Sequence, residues 1–202
     1  DPSWVAHSEE LLRVTAADVA ALGAMLAAHE GGDAAAAGTA LEALLERDPD
    51  REEAHEALAA IALREGRWED LERLCARGLE RIRGAVALRR NRALALLQLG
   101  WAEERRGVDP APRFAQAIGE LEAARALDPE WSGLEQLLSV AGQSAARAEV
   151  RDAARAAQLR NQALEAARRA RAIAPANPDL AIQEAAVLLD ECATQPLDRS
   201  RL

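Results

Sequence analysis

The chain has 202 residues, half of them hydrophobic but only 2% aromatic, and a formal net charge of −9 at pH 7. Its abundant Ala, Leu, Glu and Arg are strong helix formers, while residues typical of strands are scarce, so the composition predicts an all-α fold. The negative charge argues against general nucleic-acid binding, and no stretch has the roughly 18 uncharged apolar residues of a membrane span.

The residue types present also limit the kinds of catalysis and nucleotide binding that the chain can support. The chain contains no lysine, which excludes P-loop nucleotide binding and Schiff-base catalysis. Its serines lack the GxSxG and SxxK settings of known nucleophiles. Cys75 and Cys192 are far apart and form no CxxC motif, so buried free thiols are favoured over a disulfide. We therefore expect no cofactor and no enzymatic activity.

Glu52 and His55 lie one helical turn apart, as metal ligands can, but no third ligand is near in sequence. We therefore interpret His55 as a partly buried or groove-facing histidine rather than a metal ligand.

Apolar residues recur at helical spacing along the chain, between turn signals rich in Gly and Pro. Thr15 and Asp18 form a start that is similar to a capping box. In chain order, the sequence predicts helices at about 16–29, 34–47, 52–64, 69–82, 85–106, 114–127, 131–148, 152–173 and 178–194.

Four helix ends share one spacing. Ala37, Leu41, Leu44 and Pro49 follow one another at intervals of four, three and five residues. A fixed register of this kind is the signature of stacked helix pairs. The same intervals join Ala117, Leu121, Ala124 and Pro129, then Ala163, Ala167, Ala170 and Pro175, and, without the proline, Leu71, Cys75, Gly78 and Arg83.

The segment 52–85 carries the clearest motif. Leu58-Ala59 is followed by the turn glycine Gly66 and the aromatic Trp68. Leu99-Gly100 and Gly107 repeat the same arrangement in the next helix pair. In these features the chain resembles the tetratricopeptide repeat family, as an irregular, bacterial-type member.

The resemblance implies one domain over residues 1–202, a right-handed α-solenoid of stacked antiparallel helix pairs with elongated helices in its C-terminal half. The predicted parts are an N-terminal segment at 1–15, helix-pair repeats at 16–51, 52–84, 85–129 and 130–177, a capping helix at 178–194 and a tail at 195–202.

The family further implies that the first helix of each pair lines a concave groove, which binds a peptide or a partner protein. Trp101 would be either an exposed binding anchor or a side chain packed against the neighbouring pair. Carried over by register, the groove candidates are Leu22, Leu26, His29, Glu53, Glu56, Leu63, Arg64, Leu97, Gln98, Trp101, Glu104 and Arg105.

Charge is unevenly distributed. Residues 1–83 hold 18 acidic and 9 arginine side chains, a net charge of −9, whereas residues 84–202 hold 16 of each and are neutral. The acidic half is expected to attract a cationic or amphipathic partner.

Arg147, Arg151 and Arg155 recur every four residues and predict a basic helix face. That face is either simply solvated or a docking patch, and head-to-tail association with the acidic half of a second copy stays open.

Together these features predict a non-enzymatic protein–protein interaction scaffold. Two alternatives stay open. One is an accessory or periplasmic component of a transport or envelope assembly whose hollow binds a small ligand. The other is a regulatory appendage of a larger protein, suggested by a start at Asp1 rather than methionine. A closed apolar pore would favour the ligand, and an open groove would favour the peptide. The compartment is not assigned, although a soluble cytoplasmic protein is favoured over a periplasmic one.

Overall fold

The computed structural model describes Gly23 and residues 33–194, with side chains as far as Asp190. The all-α expectation is confirmed, because residues 33–194 form eight helices and no strand. The helices are α1 (Ala34–Arg47), α2 (Glu52–Arg64), α3 (Trp68–Arg81), α4 (Val86–Arg105), α5 (Ala111–Leu127), α6 (Ser132–Ala148), α7 (Ala153–Ile173) and α8 (Pro178–Thr194).

Most helix ends fall within a residue of the prediction, and the signals behind them are visible as contacts. The Asp33 carboxylate accepts hydrogen bonds from the backbone N–H groups of Ala35 and Ala36, at 3.0 and 3.1 Å, and so caps α1. The exception is α5, which begins at Ala111, three residues before its predicted start. Pro112 lies in the first turn, where backbone N–H groups have no intrahelical acceptor. The missing N–H of proline therefore costs the helix no hydrogen bond there.

Of the predicted helix at 16–29, the structure describes Gly23, which is helical, and the tail at 195–202 lies outside the described residues. Of the helices that the structure describes, none is long and apolar enough to cross a membrane.

Residue contacts divide the chain into two compact units, 1–91 and 92–202, with the boundary inside α4. In the first unit, α2 packs against both α1 and α3. The short connection between α2 and α3 makes them antiparallel, and Gly66 within it has a φ of 66°, a backbone conformation that other residues rarely adopt. Gly107, which follows α4, has a φ of 73°. Both predicted turn glycines are therefore required by the backbone.

In the second unit, α6 is the central helix and packs against α5, α7 and α8. Small side chains set its distance from α7, since a Cβ added at Gly142 would lie 3.0 Å from the Ala163 Cβ. The approach of α4 and α5 depends on a second glycine. A Cβ at Gly100 would lie 2.6 Å from a ring carbon of Phe114, which is completely buried.

The repeated spacing found in the sequence marks the buried face of four helices. Every helical position in the four series is buried, and Cys75 is a buried free thiol, as expected. These positions are Ala37, Leu41 and Leu44 in α1, Leu71, Cys75 and Gly78 in α3, Ala117, Leu121 and Ala124 in α5, and Ala163, Ala167 and Ala170 in α7.

Gly100→Ala is expected to destabilise the second unit by roughly 1–3 kcal/mol, because the added methyl group must displace the buried Phe114 ring. Gly119→Ala is the matched control. Gly119 lies inside α5, and a Cβ added there would meet nothing within 4 Å, so the better helix former should stabilise the fold by about 0.5–1 kcal/mol. Urea denaturation followed by circular dichroism measures both, and equal effects at the two positions would contradict this packing.

Candidate partner-binding groove

The predicted groove residues of α2 form one strip along its exposed side. Glu53 and Arg64 are exposed, while Glu56 and Leu63 are half-buried. The Glu53 carboxylate lies 3.3 Å from the Arg51 guanidinium. This strip has an acidic end and a basic end, and its role in binding stays a prediction. Leu22, Leu26 and His29, from the preceding repeat, lie outside the described residues.

The candidates of α4 are placed differently. Leu97 lies in the core with 1% of its surface exposed, and its place in a binding groove stays a prediction. Gln98 is half-buried, and Glu104 and Arg105 are exposed in the last turns. Trp101 is half-buried, and its indole Nε1–H donates a hydrogen bond to the Ser144 hydroxyl at 3.1 Å. Of its two predicted roles, packing against the following helix pair is the one observed.

The three arginines of the predicted basic patch do not share a helix face. Arg147 lies in the last turn of α6, Arg151 in the loop and Arg155 in the first turn of α7, because α6 ends at Ala148. All three are exposed. Arg147 pairs with Asp190 at 3.2 Å, and the prediction of one continuous basic face on a single helix was wrong.

His55 is a buried core residue with 4% exposure. Its Nε2 is 2.9 Å from the Pro49 carbonyl oxygen. Because a carbonyl only accepts, Nε2 must carry the proton and donate. The ring packs below Gly78, where a Cβ would come within 3.2 Å of it. Within residues 33–190, no three potential metal-binding side chains cluster.

The first unit has a groove of about 760 Å³ between α1 and α3, with α2 as its floor. Leu58 and Ile61 of α2 form the bottom, and Leu74 of α3 packs beside them against the core cluster of the unit. The floor is therefore continuous with the hydrophobic core.

The α1 wall of this groove consists of small residues. Ala34, Ala35, Gly38 and Thr39 line it, and a Cβ added at Gly38 would meet nothing within 4 Å. The Thr39 hydroxyl donates to the Ala35 carbonyl at 2.9 Å, so it turns toward its own helix. The groove exists because these side chains leave its volume empty.

The rim is charged but balanced, with three acidic and three arginine side chains. Glu42 of α1 pairs with Arg77 of α3 at 2.7 Å and so joins the two walls. At the α2–α3 turn, Arg67 bonds both the Glu65 and the Asp70 carboxylates at 2.7 Å. Arg73 is also hydrogen-bonded to Asp70.

These hydrogen bonds fix the charge states of the rim. The bond from Arg67, followed by that from Arg73, lowers the pKa of the Asp70 carboxyl below its usual value. The Asp70 and Glu65 carboxylates in turn raise the pKa of Arg67. Because every rim charge has a partner of opposite sign, the groove offers an apolar floor and no net charge.

Sequence reasoning did not find this groove. The floor residues Leu58 and Ile61 are buried, so their positions in the sequence look like ordinary core positions. The available signal was the run of alanines with Gly38 and Thr39 at the start of α1, since a wall of small residues opposite large apolar ones leaves a space.

Asp70→Asn is expected to lower the unfolding free energy at neutral pH by less than about 1 kcal/mol, because partly exposed pairs are screened by water. A carboxyl whose pKa is depressed in the folded state stabilises that state above its unfolded pKa. The difference between wild type and variant should therefore shrink as the pH falls below about 4.

Chemical denaturation at neutral and acidic pH measures this difference. Glu69→Gln is the control, because Glu69 is an exposed neighbour with no ion pair in the described part of the chain. A deficit for Asp70→Asn that persists unchanged in acid would contradict the assigned role of the Asp70 carboxylate.

Comparisons with known proteins add a distant structural likeness. No protein-family model matches the chain, and no curated protein does. Among solved structures, the chain is similar to a thermophilic tetratricopeptide repeat protein of Thermus thermophilus, with 19% identity and a TM-score of 0.48. The match covers 84% of this chain and 97% of that one. Membership of the tetratricopeptide repeat family stays a prediction, whereas the all-α fold follows from the described helices.

Proposed function

We propose that this chain is a non-enzymatic protein-interaction module and that the α1–α3 groove receives an amphipathic helical segment of a partner protein. The observation that carries the proposal is the groove itself, with its apolar floor of Leu58, Ile61 and Leu74. A helix laid in such a groove buries its apolar stripe and keeps its polar side in water.

The dimensions of the groove suit this role. Its volume of about 760 Å³ lies within the range of about 300–1,000 Å³ that is typical of ligand-binding clefts. Exposed residues of both walls, among them Ala35 and Arg73, leave it open to solvent. A side chain of the partner therefore needs no rearrangement of the fold to reach the floor.

The rim determines which partners fit. The acidic and basic groups of the rim are equal in number and already paired, so a uniformly charged segment gains little there. An amphipathic helix that carries both acidic and basic residues beside its apolar stripe can replace the ion pairs within the rim with ion pairs between the rim and the helix. The strip from Glu53 to Arg64 on α2 is a second surface, for a cationic segment drawn by the acidic half of the chain.

Two observations favour a protein partner over the other proposed roles. Residue types that commonly act in catalysis are used here for packing, since Cys75 is completely buried and His55 is bonded to the backbone. The Trp101 indole, which could otherwise line a ligand-binding hollow, is held by its hydrogen bond to Ser144. The idea that the chain is a regulatory appendage of a larger protein is compatible with the same groove.

Gly38→Leu tests the proposal by filling the groove from its own wall. The new side chain enters open space in the middle of α1, and Leu is a better helix former than Gly, so the fold should be retained. A peptide selected from a displayed library of amphipathic helices against the intact chain is the probe. We expect its affinity, measured by fluorescence anisotropy, to fall at least about tenfold, the loss of about 1.4 kcal/mol of contacts.

Gly119→Leu is the matched control, because Gly119 also lies inside a helix and faces open space, on α5 of the other unit. It should bind the peptide like the wild type. The double variant Glu53→Arg/Glu56→Arg should also retain binding if the site is the α1–α3 groove. Normal binding by Gly38→Leu, or loss on charge reversal alone, would refute the proposed site.

A further inference from the structure

The exposed side of α8 has the opposite composition from that of an ordinary surface helix. Between residues 181 and 189, every exposed position is apolar. Ile182 and Leu189 are 67% and 70% exposed, which are high values for large aliphatic side chains. The exposed positions are Ala181, Ile182, Ala185, Ala186, Leu188 and Leu189.

The polar side chains within the same stretch, Gln183 and Glu184, are half-buried and contact neighbouring helices instead. Glu184 pairs with Arg171 at 2.9 Å and with Arg168 at 3.6 Å, both on α7. Gln183 donates to the Gln143 side-chain oxygen on α6 at 3.2 Å. A surface helix normally directs its polar face to water, and a helix that caps a repeat array does the same. The outer side of α8 between residues 181 and 189 is therefore apolar and exposed to water.

From this we propose that α8 is a self-association surface and that its occupant is α8 of a second copy of the chain. Ile182, Ala185, Ala186 and Leu189 recur at the i, i+3, i+4, i+7 spacing of a helix–helix seam. A two-fold axis through the two alanines sets Ile182 of one copy beside Leu189 of the other. The small alanine side chains on the axis let the two helices approach closely.

The absence of charge on this face favours α8 of a second copy over a charged peptide. With no exposed charge between residues 181 and 189, it offers a charged peptide no pairing, whereas a second α8 matches it residue by residue. The exposed face has only three large side chains, Ile182, Leu188 and Leu189, so it buries less than the roughly 800 Å² per partner of a stable interface. The expected dimer is therefore weak and forms at micromolar concentrations or above. This inference is independent of the α1–α3 groove.

Sedimentation velocity on the intact chain, over a range of micromolar concentrations at low and high salt, tests the proposal. The wild type should pass from monomer to dimer with concentration, and added salt should not weaken the dimer, because its contacts are apolar. Ile182→Glu/Leu189→Glu should weaken dimerisation at least tenfold while circular dichroism shows unchanged helicity. Leu127→Glu, at an exposed position on α5, should dimerise like the wild type.

Cross-linking tests the geometry. In a Cys192→Ser background, Ala186→Cys places a thiol on the two-fold axis and should give a disulfide-linked dimer on oxidation. Ala181→Cys, which an antiparallel pairing holds apart, should not. The buried Cys75 thiol does not interfere.

Several results would overturn the proposal. They are a wild type that stays monomeric, a dimer that survives the double glutamate variant, a dimer that salt dissociates, and equal cross-linking at both cysteine positions. The third would point to head-to-tail pairing of charges. A monomer that dimerises only after removal of residues 195–202 would identify the tail as the occupant and would also refute it.

Discussion

Close approach between helices, permitted by small side chains, is the constraint on which the described structure depends. With only 2% aromatic residues, the chain builds no thick core, and its apolar burial comes from many short contacts. Gly142 brings α6 against Ala163 of α7, and Gly100 receives the Phe114 ring. Such packing leaves little tolerance for added volume. The central helix α6 even buries Glu135, whose carboxylate lies 3.1 Å from the Arg169 guanidinium.

The same small residues have a second consequence where no neighbour closes on them. Along α1 they leave a groove that ends on Leu58 and Ile61, side chains that also belong to the core. The floor of the proposed site is therefore held as firmly as the fold itself, so the surface offered to the proposed partner is preformed. At α8, burial of the polar groups leaves Ile182 and Leu189 in water. In both units, the proposed binding surface consists of residues that helix packing leaves uncovered.

Helix positions could be predicted from the sequence because their signals are local. Caps, prolines and turn glycines act within a few residues, and the repeated spacing read from Ala37 to Pro49 marked positions that the structure buries. The binding site was harder to predict from the sequence, because its prediction required knowing which side of each helix is covered by neighbouring helices. Leu97 fits the groove register but lies in the core. Arg147 and Arg155 share a spacing but not a helix. The α1–α3 groove depends on the separation of two helices, which no local pattern encodes.

The central claim is that the apolar floor between α1 and α3, rather than the exposed strip of α2, contacts the partner. Methyl NMR on the isotopically labelled chain tests it most directly, with a selected amphipathic peptide as the ligand. The account predicts shifts in the methyl signals of Leu58, Ile61 and Leu74 on titration, while Leu63 on the α2 strip stays unchanged. Shifts confined to Leu63 and its neighbours, with the three floor residues unaffected, would contradict it.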